Sequence, residues 1–256
     1  MSTVLTAEQI RTFAGAGWTV VPGLIAPKMQ DVLNTEVNRL MGDVPPPTGH
    51  VGHHFYWRTP RESPTLFDPL RGGGILAVAR ELVGEGGVDL AFDQAQVALN
   101  IPSKSHRPGR PHIDGYAPGQ QTPGTFTLLA GLLLTDQLLD NTGNLWVWPG
   151  THLAHAEFFA ARGPQAFADA GGYPDIELPE PTQVHGRCGD VLFAHYLLGH
   201  NIGGNDAADC TRRTLYWRLR APGHVARWED CLADPWLEYP GVRKLVDHHD
   251  VPGRRA

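Results

Sequence analysis

His112 and Asp114 stand one residue apart in Arg110-Pro111-His112-Ile113-Asp114-Gly115-Tyr116. In extended backbone, residues i and i+2 point to the same side, so this spacing can bring an imidazole and a carboxylate to one ion. Two histidines and one carboxylate on one face of an octahedron leave the other positions open, which suits Fe(II) that must also take up a cosubstrate and dioxygen. The pair is therefore half a site, and its third ligand must come from a distant strand folded beside it. His185, His195 and His200 are the candidates. His-x-Asp alone is a common spacing that needs context. His248-x-Asp250 repeats it in the last residues with no downstream strand to complete a site, and reads as a frayed, polar tail.

A cosubstrate with a free carboxylate, such as 2-oxoglutarate, needs a fixed cation deep in the pocket, and a guanidinium matches a carboxylate with two parallel hydrogen bonds. Arg212 lies on the segment that follows the loop after His200. His200 and Arg212 together make the tidiest hairpin, with metal at one strand end and a carboxylate clamp on its neighbour.

The elements that must position these groups are legible in the periodicity. Thr6-Ala7-Glu8-Gln9 is a capping box for a helix that ends at Gly15 to Gly17, and Trp18-Thr19-Val20-Val21 reads as a strand. From Pro27, Met29, Val32, Leu33, Val37, Leu40 and Met41 recur at helical spacing, and Ile75 to Val83 form a third helix stopped by Gly84. Between them, residues 43–65 hold Pro45-Pro46-Pro47 and then His50, His53, His54, Phe55, Tyr56 and Trp57. With no carboxylate beside the rings, this segment reads as an ordered loop packed on the domain, or as a lid facing substrate.

From Val88 the period drops to two. Gln94, Gln96 and Asn100 share one face and Ala95, Val97, Leu99 and Ile101 the other, so the strand either lines a pocket with its polar face or turns it to solvent. A loop over 115–124, a buried strand over 125–135, a turn at 140–144, a strand at 145–148, a helix at 151–162 and an irregular stretch over 163–181 follow. Val184-His185, 191–200 and 211–220 supply the last strands. Helices come mostly first and short strands after, an order that indicates α+β, mainly β, with an antiparallel sandwich or barrel.

A chain of 256 residues, 41% hydrophobic, can bury a large core, and one domain is expected: a helical part over about 1–86, a β core over about 88–220 and an extension over 221–256. The net charge of -6, without a run of like charges, gives no footprint for nucleic acid or an anionic membrane, and no segment has the length of a membrane span. The expected partner is a small molecule, with the chain a monomer or homodimer. Cys188, Cys210 and Cys231 are odd in number and lack Cys-x-x-Cys pairing, which argues against a disulfide scaffold or zinc ribbon and fits a cytoplasmic location. Gly-x-Ser-x-Gly and Gly-x-x-x-x-Gly-Lys-Ser/Thr are both absent, which excludes serine-hydrolase and P-loop readings.

Four motifs in order carry a resemblance. Pro111-His112-Ile113-Asp114-Gly115, Gly143-Asn144-Leu145-Trp146-Val147-Trp148-Pro149-Gly150-Thr151-His152, Gly189-Asp190-Val191, and His195-Tyr196-Leu197-Leu198-Gly199-His200-Asn201 together resemble the phytanoyl-CoA dioxygenase family, over about Gln96 to Leu219. The resemblance implies a double-stranded β-helix (jelly-roll, cupin-like) and a non-haem Fe(II)- and 2-oxoglutarate-dependent dioxygenase that releases succinate and CO2. It implies His112, Asp114 and His200 as iron ligands, His195 as a neighbour and Arg212 as the 2-oxoglutarate arginine. Because the interval from His200 to Arg212 is one residue longer than the family's usual pattern, Arg213 is the fallback. Gln96 and Asn100 are further candidates to touch the cosubstrate. Related halogenases carry a small residue where Asp114 stands, so the aspartate favours hydroxylation or a related oxidation. No basic cluster suits coenzyme A phosphates; the aromatic 53–57 segment suggests a small, partly apolar metabolite. Rival readings are a metal-binding cupin-like isomerase, which would not need Arg212, and a non-catalytic binding protein.

Overall fold

The computed structural model describes residues 4–72, 74–84, 88–102, 104–115, 124–166, 173, 176–206 and 209–248. The chain passes through α1 (Ala7–Ala16), β1 (Trp18–Val21), α2 (Pro27–Asp43), β2 (Gly52–Arg58), α3 (Asp68–Gly72), α4 (Ile75–Val83) and β3 (Asp89–Ile101). It continues through β4 (Leu128–Leu133), β5 (Leu145–Val147), α5 (Thr151–Arg162), β6 (Thr182–Gln183), β7 (Val191–His195), β8 (His200–Ile202), β9 (Arg212–Arg220), α6 (His224–Ala233) and α7 (Pro240–His248). Two antiparallel sheets result, one of six strands in the order β1-β7-β4-β9-β3-β2 and one of three in the order β6-β5-β8.

Alternation along the strands makes the layers. Leu215, Trp217 and Leu219 of β9 join Val97 and Leu99 of β3 on the outer face of the large sheet, where Phe13, Leu33, Val37, Leu82 and Val242 from four helices cover them. Trp217 also donates to the Leu66 carbonyl at 3.1 Å. Removing so large a buried ring costs about 3–5 kcal/mol. The opposite face, with Ala98, Leu129, Leu192 and Tyr216, meets Leu145 and Val147 of the small sheet in a second core. Gln96 and Asn100 on the polar face of β3 therefore turn inward between the sheets, while Gln94 at its start stays exposed.

The local signals held where they were strongest. Gln9 N donates to Thr6 Oγ1 at 3.1 Å and Thr6 N to Gln9 Oε1 at 2.8 Å, the reciprocal box expected of α1, and such a cap is worth about 1 kcal/mol. Gly17 then closes the helix at φ 83°.

Three expectations need correction. Residues 52–58 are not a loop but strand β2, paired with β3 from Gly52↔Ile101 to Arg58↔Ala95. Together with β1 on β7, this makes segments of the supposedly helical first part the two edges of the large sheet. The apolar run over 191–200 is not continuous: β7 ends at His195, the Leu198 N–H turns back to the His195 carbonyl, and β8 begins at His200 in the other sheet. The strand expected at Val184-His185 lies two residues earlier. Most of the 115–124 loop, much of the 163–181 stretch, and Asp250 of the tail pair lie outside the described residues.

Candidate metal centre

The fold joins His112 to the small sheet by a single backbone pairing. His112 N donates to the His200 carbonyl at 3.0 Å, and His200 N returns the bond to His112 at 3.0 Å. Their rings lie 4.5 Å apart between centroids. Asp114 Oδ1 is 3.4 Å from His112 Nε2 and 3.6 Å from His200 Nε2. His112, Asp114 and His200 thus present three ligand atoms within 4.8 Å of one another. His200 Nδ1 lies 2.9 Å from the Leu198 carbonyl, an acceptor only, so Nδ1 carries the proton and the Nε2 lone pair is left facing Asp114.

The electrostatics agree with an ion-binding cluster. Burial opposes charge throughout, yet hydrogen bonds from His112 and His200, with the Arg218 charge, hold Asp114 well below the usual carboxylate range. Burial would also lower His200, but the Asp114 carboxylate outweighs it and raises the pKa; His112 is lowered by burial and by its neighbour His200. A divalent ion would compete with the proton that Asp114 favours on His200.

The other histidine candidates are elsewhere. His185 pairs with Asp140 at 2.9 Å near the surface, and buried His195 is engaged by the Pro235 carbonyl at 2.7 Å. Among the described residues one other group of the right types lies close together, His224 and Cys231 of α6 with Glu238. Its polar atoms are already spent: His224 bonds Thr125 and Glu238, and Glu238 takes Thr127 and Arg227 as well. That network ties the C-terminal helices to the sheet.

Beside the triad lies a cavity of about 370 Å³. His53, Phe55 and Trp57, the alternate residues of β2, form one wall, so the aromatic cluster faces the candidate site. Gln96 lines the cavity from β3 and accepts from Arg218 Nη1 at 3.0 Å.

Arg212 is buried on the inner face of β9, and Arg213 turns to the opposite face, where it donates to Asn34 at 3.2 Å. Arg212 Nε donates to Gln137 Oε1 at 3.2 Å and Nη2 to the Tyr216 hydroxyl at 2.8 Å. The Tyr216 ring lines the cavity; Arg212 stands beyond it. Arg212 Nη1 and Asn100 Oδ1 are both buried without a hydrogen-bond partner, and the two residues are cross-strand neighbours. Gly143, at φ +84°, admits this approach: a Cβ there would sit 2.9 Å from that of Asn100 and 3.0 Å from that of Arg212.

Sequence reasoning missed Arg218, Tyr216 and Gln137. Alternation from Arg212 puts Tyr216 and Arg218 on the same inner face. Gln137 had no such signal, because it lies in a segment tied to Gly186 rather than on a named strand.

Solved structures give the comparison. HygX from Streptomyces hygroscopicus, with nickel and 2-oxoglutarate bound, matches with 19% identity and a TM-score of 0.60, over 86% of this chain and 88% of that one. SnoN, a non-haem α-ketoglutarate-dependent epimerase from nogalamycin biosynthesis, matches with 22% identity and a TM-score of 0.61 over 83% and 81%. SnoK, a carbocyclase from the same biosynthesis, matches with 19% identity and a TM-score of 0.59 over 88% and 92%. This chain has their fold. No family model matches the sequence, and neither does any curated protein.

Proposed function

We propose that this chain is a non-haem Fe(II)- and 2-oxoglutarate-dependent dioxygenase on a double-stranded β-helix, akin to the phytanoyl-CoA dioxygenase family, which hydroxylates a small organic metabolite. The observation that carries this is the convergence of His112 Nε2, Asp114 Oδ1 and His200 Nε2 at one end of a cavity. Two histidines and a carboxylate are the donor set that suits Fe(II) with open positions. The fold neighbours support it, since HygX holds nickel and 2-oxoglutarate and SnoN has been seen with Fe3+ and α-ketoglutarate.

The residues also fit the cosubstrate. A buried guanidinium nitrogen without a partner is costly unless something anionic satisfies it, and Arg212 Nη1 is such a nitrogen. Arg212 would take the far carboxylate of 2-oxoglutarate, with Gln137 and Tyr216 fixing the guanidinium plane. A cupin-like isomerase would not need this buried cation, and titration with 2-oxoglutarate separates a plain binding protein as well.

Iron, 2-oxoglutarate and dioxygen together supply the oxidising power, with succinate and CO2 as by-products. The protein's own part is placement. His112, Asp114 and His200 fix the ion, and Phe55 and Trp57 offer the substrate an apolar wall. That wall favours a small, partly apolar metabolite, whose C–H bond it would hold near the ion while excluding water.

Anaerobic visible absorption tests the proposal. Adding Fe(II) and then 2-oxoglutarate should raise a weak charge-transfer band in the wild type, absent in His200→Ala and weakened in Arg212→Ala. Bound iron without a band in the wild type would leave only a metal-binding relative.

A further inference from the structure

Only one oxygen of Asp114 faces the histidines. The other, Oδ2, accepts two hydrogen bonds from Arg218, from Nε at 3.0 Å and from Nη2 at 2.5 Å. Nη1 is held by Gln96, and the guanidinium carbon stands 4.9 Å from the Trp57 ring centroid and 5.8 Å from that of Phe126. All three guanidinium nitrogens are engaged, two aromatic rings lie beside the group, and the side chain is 11% exposed. This is not the loose surface pair that contributes little. It is a planar fork fixed on one carboxylate oxygen.

We propose that Arg218 is a positioning residue for the metal centre: by occupying Oδ2 it keeps Asp114 a one-oxygen ligand through Oδ1. The inference rests on the iron reading above. Carboxylates bind divalent ions through one oxygen or both, and hydrogen bonds to a ligating carboxylate set its orientation. An aspartate giving both oxygens would, with His112 and His200, fill four positions instead of three. It would then take one that the cosubstrate and dioxygen require. Gln96 and Trp57, both in the cavity wall, brace the fork from the substrate side. A bare positive charge at this place would act in the opposite sense, repelling the ion and weakening its binding.

Titrating the Co(II)-loaded full chain with 2-oxoglutarate, followed by visible absorption, reads the proposal. With Oδ2 released to the ion, Arg218→Ala and Arg218→Lys should each bind 2-oxoglutarate about 10–100-fold more weakly than wild type, because lysine restores the charge but not the fork, while Co(II) itself still binds. Wild-type 2-oxoglutarate affinity in the Co(II)-loaded variants would overturn the proposal. Should the variants fail to fold, a crystal structure of the Co(II)-loaded wild type decides: Oδ1 alone on the ion with Arg218 on Oδ2 is expected, and chelation by both oxygens refutes it. A wild type that takes no Co(II) at His112, Asp114 and His200 refutes the iron reading itself, and this inference with it.

Discussion

His112 and His200 are held as antiparallel partners by two reciprocal backbone hydrogen bonds, each 3.0 Å long, that use neither side chain. The placement of two candidate ligands is therefore a property of the main chain, which leaves both Nε2 atoms turned toward Asp114. The His112 ring is 51% exposed. Its loss should therefore leave the ion-free protein folded, at a cost of about 1 kcal/mol through the lost contact with Asp114. His112→Ala should nevertheless lose the rise in melting temperature that Ni(II) gives the wild type, since binding to the folded state alone stabilises it. Melting curves with and without Ni(II) check both halves. An undiminished rise in the variant would remove His112 from the ligand set.

Arg212 and Arg213 are adjacent in sequence and opposite in space, so they should separate cleanly. Arg212→Ala should weaken 2-oxoglutarate binding by roughly 10–100-fold, the range for one charge-assisted hydrogen-bonding partner. Arg212→Lys should recover little, because the planar fork is lost. Arg213→Ala, which gives up the Asn34 contact at 3.2 Å, should leave cosubstrate affinity within about 2-fold of wild type. Isothermal titration of the Ni(II)-loaded proteins with 2-oxoglutarate distinguishes the cases, and a larger effect at Arg213 would reverse the assignment.

Much of this was readable before the structure, and the failures have a common cause. The box of Thr6 and Gln9 and the bounds of α5 depend on neighbours a few residues away, so local chemistry decides them. Strand β2 follows Pro45-Pro46-Pro47, and its alternation acquires meaning only once β3 lies beside it. The run over 191–200 is apolar almost throughout and has no period to mark its break. Choosing His200 over His185 and His195 on the residues alone was equally out of reach, because only the fold brings it beside Asp114. Arg218 sits 104 residues from Asp114, and nothing local reports that pairing.

Buried histidines should make the fold acid-sensitive. Burial lowers both His155 and His195 from 6.5 to about 4, and it pulls His152 well below its ordinary range. The unfolded chain takes up these protons near pH 6.5 and the folded chain not until about 4, so stability is full above 6.5 and falls as pH drops through that window. Each of His155 and His195 carries roughly 3 kcal/mol of this loss. His200, raised by Asp114, contributes stability that is complete once the pH has fallen to 6.5 and does not alter the slope below it. Melting temperature should therefore fall steadily from pH 6.5 to 4, and a flat profile would contradict the buried neutral state.

Gly131 controls the Tyr216 ring that stands between Arg212 and the cavity. The two are cross-strand partners on β4 and β9, and a Cβ on Gly131 would lie 2.6 Å from Tyr216 Cε1 and 2.8 Å from Cδ1. Strands paired on both sides cannot shift to relieve this, so Gly131→Ala must push the ring, at about 1–3 kcal/mol of overpacking. The Tyr216 hydroxyl would then leave Arg212, and 2-oxoglutarate affinity should fall. Co(II) affinity should stay near wild type, because neither residue touches His112, Asp114 or His200 through any hydrogen bond. Tyr216→Phe isolates the hydroxyl: it should reproduce part of the cosubstrate effect without the loss of stability. Paired titrations with Co(II) and 2-oxoglutarate, alongside melting temperatures, give the comparison. Equal weakening of both ligands in Gly131→Ala would mean that the strand, not the ring, had moved.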